Sequence, residues 1–242
     1  MIKKLMPSGF KRYLRRKLLG FEVTTYFFSQ GGEDAILMGV FDYVLKLNNG
    51  FFVDIGAFHP HKGSNTFLLY RREWNGINIE PNPVLFKEFE THRTRDINLQ
   101  IGISKAAGLK DYYVVEGAPS MNSFSLENIE RLGMKNKVTQ ILRLPVLPLK
   151  EVFDKHLKKK NIDFLNIDTE GYEMEVLESN DWEKYKPSVI AIEQNNIFSL
   201  QDVLTSPVNE YLSGQGYIAF AKNLIVKDVA TVFYIKNDLQ AE

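Results

Sequence analysis

Short apolar runs recur along the chain from residue 51 onward, with polar, helix-compatible stretches between them. FFVDI (51–55) is rich in strand formers and ends at Gly56. Residues 64–73 follow with helical spacing, and Ser64 is placed to cap their start. GINIE (76–80) comes next, then a helix over 83–92 opened by Pro83, then INLQI (97–101). IDFLNID (162–168), a helix from about 171 to 179 and SVIAIE (188–193) continue the alternation. Apolar strands alternating with helices predict an α/β fold with a doubly wound, mostly parallel sheet. LKDYYVV (109–115) and VTQILRLPV (138–146) break the rhythm as added strands. The polar stretch 116–137 between them, which contains SMNSFS (120–125), is expected to be mobile and to belong to an acceptor site. GYIAF (216–220) and VATVFYI (229–235), about eight residues apart, predict an antiparallel hairpin at the sheet edge.

Composition narrows the class. The 242 residues are 44% hydrophobic and 25% charged, which suits one α/β domain with a full core. Lys and Arg total 30 against 30 Asp and Glu, so nothing in the overall balance calls for nucleic acid. The absence of cysteine excludes disulfides, thiolate metal sites and cysteine nucleophiles. No stretch is long and apolar enough to span a membrane. The basic N-terminus also lacks the apolar run of a signal peptide, and the expectation is a cytoplasmic protein. The charge is unevenly spread, however. The first 20 residues hold Lys3, Lys4, Lys11, Arg12, Arg15, Arg16 and Lys17 and no acid. Residues 1–28 therefore read as a basic helical extension ahead of a domain over 29–242. Two roles stay open for it: a solvated helix, or a peripheral contact with anionic lipid or glycan.

Candidate chemistry lies where the strands end, because ligands of doubly wound sheets bind beyond the carboxyl ends of the strands. The first strand ends in Asp54-Ile55-Gly56-Ala57. Gly56 permits a sharp turn, and Asp54 can hold a cationic amino group. Glu80 ends the second strand, 24 residues after Gly56, where its carboxylate can accept from both hydroxyls of a ribose. Residues 56–61 read GAFHPH, so the multiple glycines that carry a pyrophosphate are missing. An adenosine cofactor without phosphate, S-adenosylmethionine, fits better than a dinucleotide.

FVDIGAFHPHKGSNT (52–66), WNGINIEPNP (74–83), IDFLNIDTEGYEMEVL (162–177) and AIEQN (191–195) together resemble the FkbM family of methyltransferases. SQGGED (29–34) is similar to a segment preceding the domain in one branch of that family. The resemblance implies a class I methyltransferase (Rossmann-like) fold with a seven-stranded sheet and S-adenosylmethionine as cofactor. It further implies O-methylation, frequently of a sugar hydroxyl. It places Asp54, Gly56 and Ala57 along the methionine and ribose side of the cofactor and Glu80 at the ribose. Ser64, Asn65 and Thr66 stand at the mouth of the first helix, where the cofactor carboxylate is expected. Gln30, in SQGGED, is a further cofactor-side candidate as part of a flap; the same segment, through Asp34, also reads as a helix cap.

Methyl transfer to an alcohol needs an aligned nucleophile and removal of its proton. Asp168 and Glu193 end neighbouring strands, so their carboxylates are expected to converge and to suit Mg²⁺ or Mn²⁺. Without a metal, Asp168, Glu170 or His59 takes the base role, with His61 near enough to replace His59. The expected acceptor is a small molecule or glycan. Two other classes remain: a nucleotide-cofactor oxidoreductase, and a catalytically silent adaptor with the same fold.

Overall fold

The computed structural model describes residues 26–157 and 161–240. The helix expected over 10–21 lies outside the described residues. Helix α1 (Glu33–Gly39) continues through a π-helical turn over Val40–Val44. After it come β1 (Phe51–Ile55), α2 (Phe67–Arg71), β2 (Asn75–Ile79), α3 (Pro83–His92), β3 (Ile97–Leu99), β4 (Gly102–Ile103) and β5 (Gly108–Val115). The chain continues through α4 (Leu126–Arg131), β6 (Val138–Leu147), α5 (Leu149–His156), β7 (Phe164–Ile167), α6 (Glu173–Glu178) and β8 (Val189–Gln194). It closes with α7 (Leu200–Leu204), α8 (Pro207–Gly214), β9 (Tyr217–Val226) and β10 (Val229–Lys236).

Seven strands form one sheet in the order β3-β2-β1-β7-β8-β10-β9. The first five run parallel, and β10 joins β8 antiparallel before pairing with β9. Every residue of β1 and β7 is buried, because helices cover both faces of the sheet. One apolar layer gathers Val53, Ile77, Leu165 and Ile190 with Val152, Phe153 and Trp182; the opposite layer gathers Phe41, Phe52, Trp74, Phe164 and Phe233. The strand order reverses between β1 and β7, and a crevice opens there at the carboxyl ends.

Several boundaries differ from the sequence reading for local reasons. The first helix is confined to Phe67–Arg71: the Ser64 hydroxyl accepts from the Phe67 amide as expected of a cap, but residues 64–66 form a turn, and Glu73 at φ 70° ends the helix early. INLQI is cut short: Ile97–Leu99 pair in the main sheet, and Gln100 and Ile101 lie in no strand. Leu99 makes the last rung to Glu80, and the chain then leaves to pair β4 with β6. With β5 these form a separate three-stranded sheet, β4-β6-β5. The closing hairpin is longer than expected: β9 runs to Val226, leaving a two-residue turn at Lys227-Asp228 in place of an eight-residue gap. The stretch 116–137 is folded in this structure. Ser123 pairs with Tyr113 through their backbones, and Asn128 and Ile129 are buried. Among the described residues, no helix is long and apolar enough to cross a membrane.

Candidate functional site

A cavity of about 350 Å³ fills the crevice. Its floor is the turn after β1. Gly56 holds φ 75°, and a Cβ there would lie 1.7 Å from the Asp168 carbonyl oxygen, so this approach of β1 to β7 requires glycine. Gly56 and Ala57 both donate their amides to the Ile79 carbonyl, which ties the turn to β2.

Glu80 is buried at the end of β2 and faces the cavity. Its two oxygens accept from the Asn82 and Phe58 amides, each at 2.8 Å. Burial outweighs those bonds and pushes its pKa up to about 8. Each oxygen keeps a lone pair for a ligand hydroxyl.

Asp54 is engaged differently. Its oxygens accept from the Thr66 hydroxyl at 2.6 Å and the Asn166 amide at 2.9 Å. The Asn166 oxygen in turn accepts from Asn65 at 3.0 Å. Thr66 also accepts from Arg93, a fully buried guanidinium paired with Asp96 and bonded to the Pro60 carbonyl and the Asn78 side chain. Asp54 thus anchors the cavity floor through a polar network, with its pKa raised chiefly by burial. Asn65, Asn166 and exposed Gln30 line the cavity itself.

Asp168, Glu170 and Glu193 converge at the other end, offering one oxygen each within 4.8 Å of one another. The cause is register: β7 and β8 pair Ile167 with Ile192, so the residues that follow, Asp168 just past β7 and Glu193 still within β8, stand side by side. Glu170 joins them through a left-handed turn, with φ 54° at Glu170 and 90° at Gly171. Glu173 closes that turn by accepting from the Thr169 and Gly171 amides. Burial, reinforced by mutual repulsion, pushes Glu170 and Glu193 up to about 8 and holds Asp168 well above the carboxylate range.

No basic residue flanks Asp168 or Glu193 in sequence, but the fold brings one. Arg131, at the end of α4, reaches the Asn195 side chain at 2.6 Å and the Asn128 side chain at 2.8 Å, and its charge draws Glu170 and Glu193 partly back toward ionisation. The insert is bonded directly to the acidic turn as well: the Ser123 hydroxyl donates to the Glu170 carbonyl at 2.7 Å. Pro119 to Phe124 and Tyr112 complete the wall.

His59 is not brought to the carboxylates. It is absent from the cavity lining, and its Nδ1 accepts from the His61 and Lys62 amides, closing a surface turn. His61 also stands outside the lining, its ring against Phe67 and His92. The SQGGED segment is a staple: Asp34 accepts from the Phe28 and Ser29 amides while the Ser29 hydroxyl accepts from the Asp34 amide. Sequence reasoning missed Asn166, Tyr112, Arg93 and Arg131. Only Asn166 carried a signal, as a polar position two residues before Asp168 in an otherwise apolar strand.

Residues 54–219 match the family model described as the methyltransferase FkbM domain. No curated protein matches the chain. Among solved structures it is similar to a TehB-like SAM-dependent methyltransferase of Corynebacterium glutamicum, at 9% identity and TM-score 0.43 over 94% of this chain and 96% of that one. It is also similar to a precorrin-6y C5,15-methyltransferase of Geobacter metallireducens, at 14% identity and TM-score 0.40 over 88% and 92%. A human methyltransferase 10 domain containing protein aligns at 10% identity and TM-score 0.40 over 95% and 94%.

Proposed function

The chain belongs to the FkbM family of methyltransferases, and on that premise we propose that it transfers a methyl group from S-adenosylmethionine to a hydroxyl of a sugar, glycan or related small molecule. The observation that carries the hydroxyl assignment is the convergence of Asp168, Glu170 and Glu193 at one end of the cavity.

The cavity residues fit the cofactor. Gly56 leaves room for close approach, Glu80 offers acceptors for two ribose hydroxyls, and Asn65 and Gln30 line the adjoining wall. When bound, the cofactor supplies an electrophilic methyl group on a sulfonium. The protein must then orient the acceptor oxygen and remove its proton. Glu170 and Glu193, each with a pKa near 8, are stronger bases than ordinary carboxylates, and either can take that proton once ionised. Arg131 favours the ionised forms.

The same oxygen-rich set suits Mg²⁺ or Mn²⁺, with Asp168 and Glu193 as ligands and Glu170 adjacent. Such an ion would offset the mutual repulsion of the carboxylates and make the acceptor hydroxyl more acidic. A silent adaptor would bind cofactor and never turn over.

The test is release of S-adenosylhomocysteine with a panel of sugar and polyol acceptors, followed by mapping of the added methyl group. Methyl groups found solely on nitrogen or carbon would overturn the hydroxyl assignment, and cofactor binding without turnover on any acceptor would favour the adaptor. Activity retained in full after exhaustive chelation would remove the metal and leave proton removal to the carboxylates alone.

A further inference from the structure

Exposed apolar side chains stand on α7 and on the adjoining β9–β10 hairpin, whose end lines the cavity. Leu200 and Leu204 stand one turn apart on α7, and Phe198 precedes that helix; they are 67%, 61% and 69% exposed. Leu224 and Val226 are exposed at the end of β9. The two groups adjoin. The Ile197 amide donates to the Asp228 carbonyl at 2.7 Å, and the Lys222 ammonium donates to the carbonyls of Ile197 and Phe198. Val226 also lines the cavity beside Ile225 and Val229, so the patch reaches the cavity mouth there. Single exposed apolar residues are ordinary on a protein surface; several on adjoining elements around a cavity mouth mark a contact surface.

Charge identifies the occupant. The first 20 residues carry seven basic side chains and no acid. The described chain begins at Tyr26 and comes to the cavity within four residues, where Gln30 lines it and Gly31 packs closely on Asn223 and Ile225 of β9. Lys17, the last of the basic residues, precedes Gln30 by 13 residues, and 13 extended residues span at most about 45 Å. A strongly basic segment is therefore joined to the chain within reach of the apolar patch. A second copy of the chain meeting this face would set like charge against like, whereas an anionic lipid surface accommodates both the apolar and the basic components.

We propose that the cavity mouth docks on an anionic lipid bilayer, with Phe198, Leu200, Leu204, Leu224 and Val226 entering the headgroup region and the basic N-terminal residues adding electrostatic attraction. On the reading of the cavity as a methyl-transfer site, the acceptor is then a hydroxyl compound presented at a membrane surface. The docking itself does not depend on that reading.

The experiment is vesicle co-sedimentation of the full chain without cofactor or acceptor, so its failure leaves the methyltransferase reading untouched. Vesicles of phosphatidylcholine alone are compared with vesicles containing about 30 mol % phosphatidylglycerol. The wild type is expected to sediment with the anionic vesicles, and to lose most of that binding at about 0.5 M salt. The triple variant Phe198→Ser, Leu200→Ser, Leu204→Ser is expected to bind at least about 30-fold more weakly. All three side chains are exposed, so an unchanged thermal midpoint should confirm that the variant folds. The quadruple variant Lys11→Gln, Arg12→Gln, Arg15→Gln, Arg16→Gln is expected to lose the preference for anionic over neutral vesicles. Failure of the wild type to bind anionic vesicles overturns the proposal. So does equal binding by the triple variant, and so does a patch whose substitution changes the oligomeric mass and not vesicle binding, since the occupant is then a second copy.

Discussion

Replacing Glu80 by glutamine tests the cofactor assignment through a proton. The buried carboxyl titrates near 8, so at pH 7 about a tenth of the free protein carries the charged form, and ionising the rest costs about 1.4 kcal/mol. Ribose hydroxyls donating to Glu80 favour the charged form. Binding of S-adenosylhomocysteine should therefore release up to about one proton at pH 7 and strengthen about tenfold with each unit that the pH rises toward 8. Glutamine keeps one neutral acceptor and loses the other. Hydrogen bonds to a charged group contribute about 1.5–3 kcal/mol and neutral ones about 1. Set against the ionisation cost the amide avoids, the net loss at pH 7 is about 1–3 kcal/mol, or about 5- to 150-fold in affinity. The gap should widen toward pH 8. The amide must also face the Phe58 or Asn82 amide with its NH₂ group, so the variant should lose about 1–3 kcal/mol of stability; circular dichroism checks that it folds. Calorimetry in two buffers of different ionisation enthalpy reads affinity and proton release together. Identical affinities and identical pH slopes for wild type and Glu80→Gln would refute the assignment.

Gly56→Ala should destabilise the protein by more than about 2 kcal/mol and abolish cofactor binding, because its Cβ meets the Asp168 carbonyl and φ is positive; a thermal melt with and without S-adenosylhomocysteine checks both. Glu170 and Glu193 have folded pKa values above their unfolded ones, so the folded state binds more protons between about pH 4.5 and 8, and stability should fall as pH rises through that window. Mg²⁺ or Mn²⁺ held there should raise the melting temperature more at about pH 8 than at about pH 6, and Glu193→Gln should remove the difference; equal shifts at both pH values would count against the ion. Arg131→Gln should move the alkaline-rising limb of the pH–rate profile upward, whereas Arg131→Lys should restore much of it. Arg93→Met should cost about 3–5 kcal/mol in thermal or urea unfolding, since it leaves Asp96 buried without its cation.

The order of strands and helices was legible in the sequence because each buried strand is a short apolar run ended by glycine, proline or a carboxylate. β1, β2, β7 and β8 could be read almost to the residue, and so could the positions of Gly56, Glu80, Asp168 and Glu193 at their ends. Parallel pairing then brings Asp168 and Glu193 together, because each directly follows one partner of the paired rung Ile167–Ile192. What the sequence could not determine depends on contacts between distant segments. INLQI alternates apolar and polar residues as one strand would, yet only Ile97–Leu99 stay in the main sheet, because the chain turns away for Gly102 and Ile103 to pair with β6, about 40 residues later. His59 was a reasonable base by chemistry and proximity in sequence, but local amide bonds turn its Nδ1 into a surface turn. Arg131 carries no pattern that marks it; only the packing of α4 against the loop after β7 sets a cation near Glu170 and Glu193, about 40 and 60 residues away in sequence. Periodicity and turn chemistry are local and survive in a linear string, whereas the partner of a charge is chosen by tertiary packing.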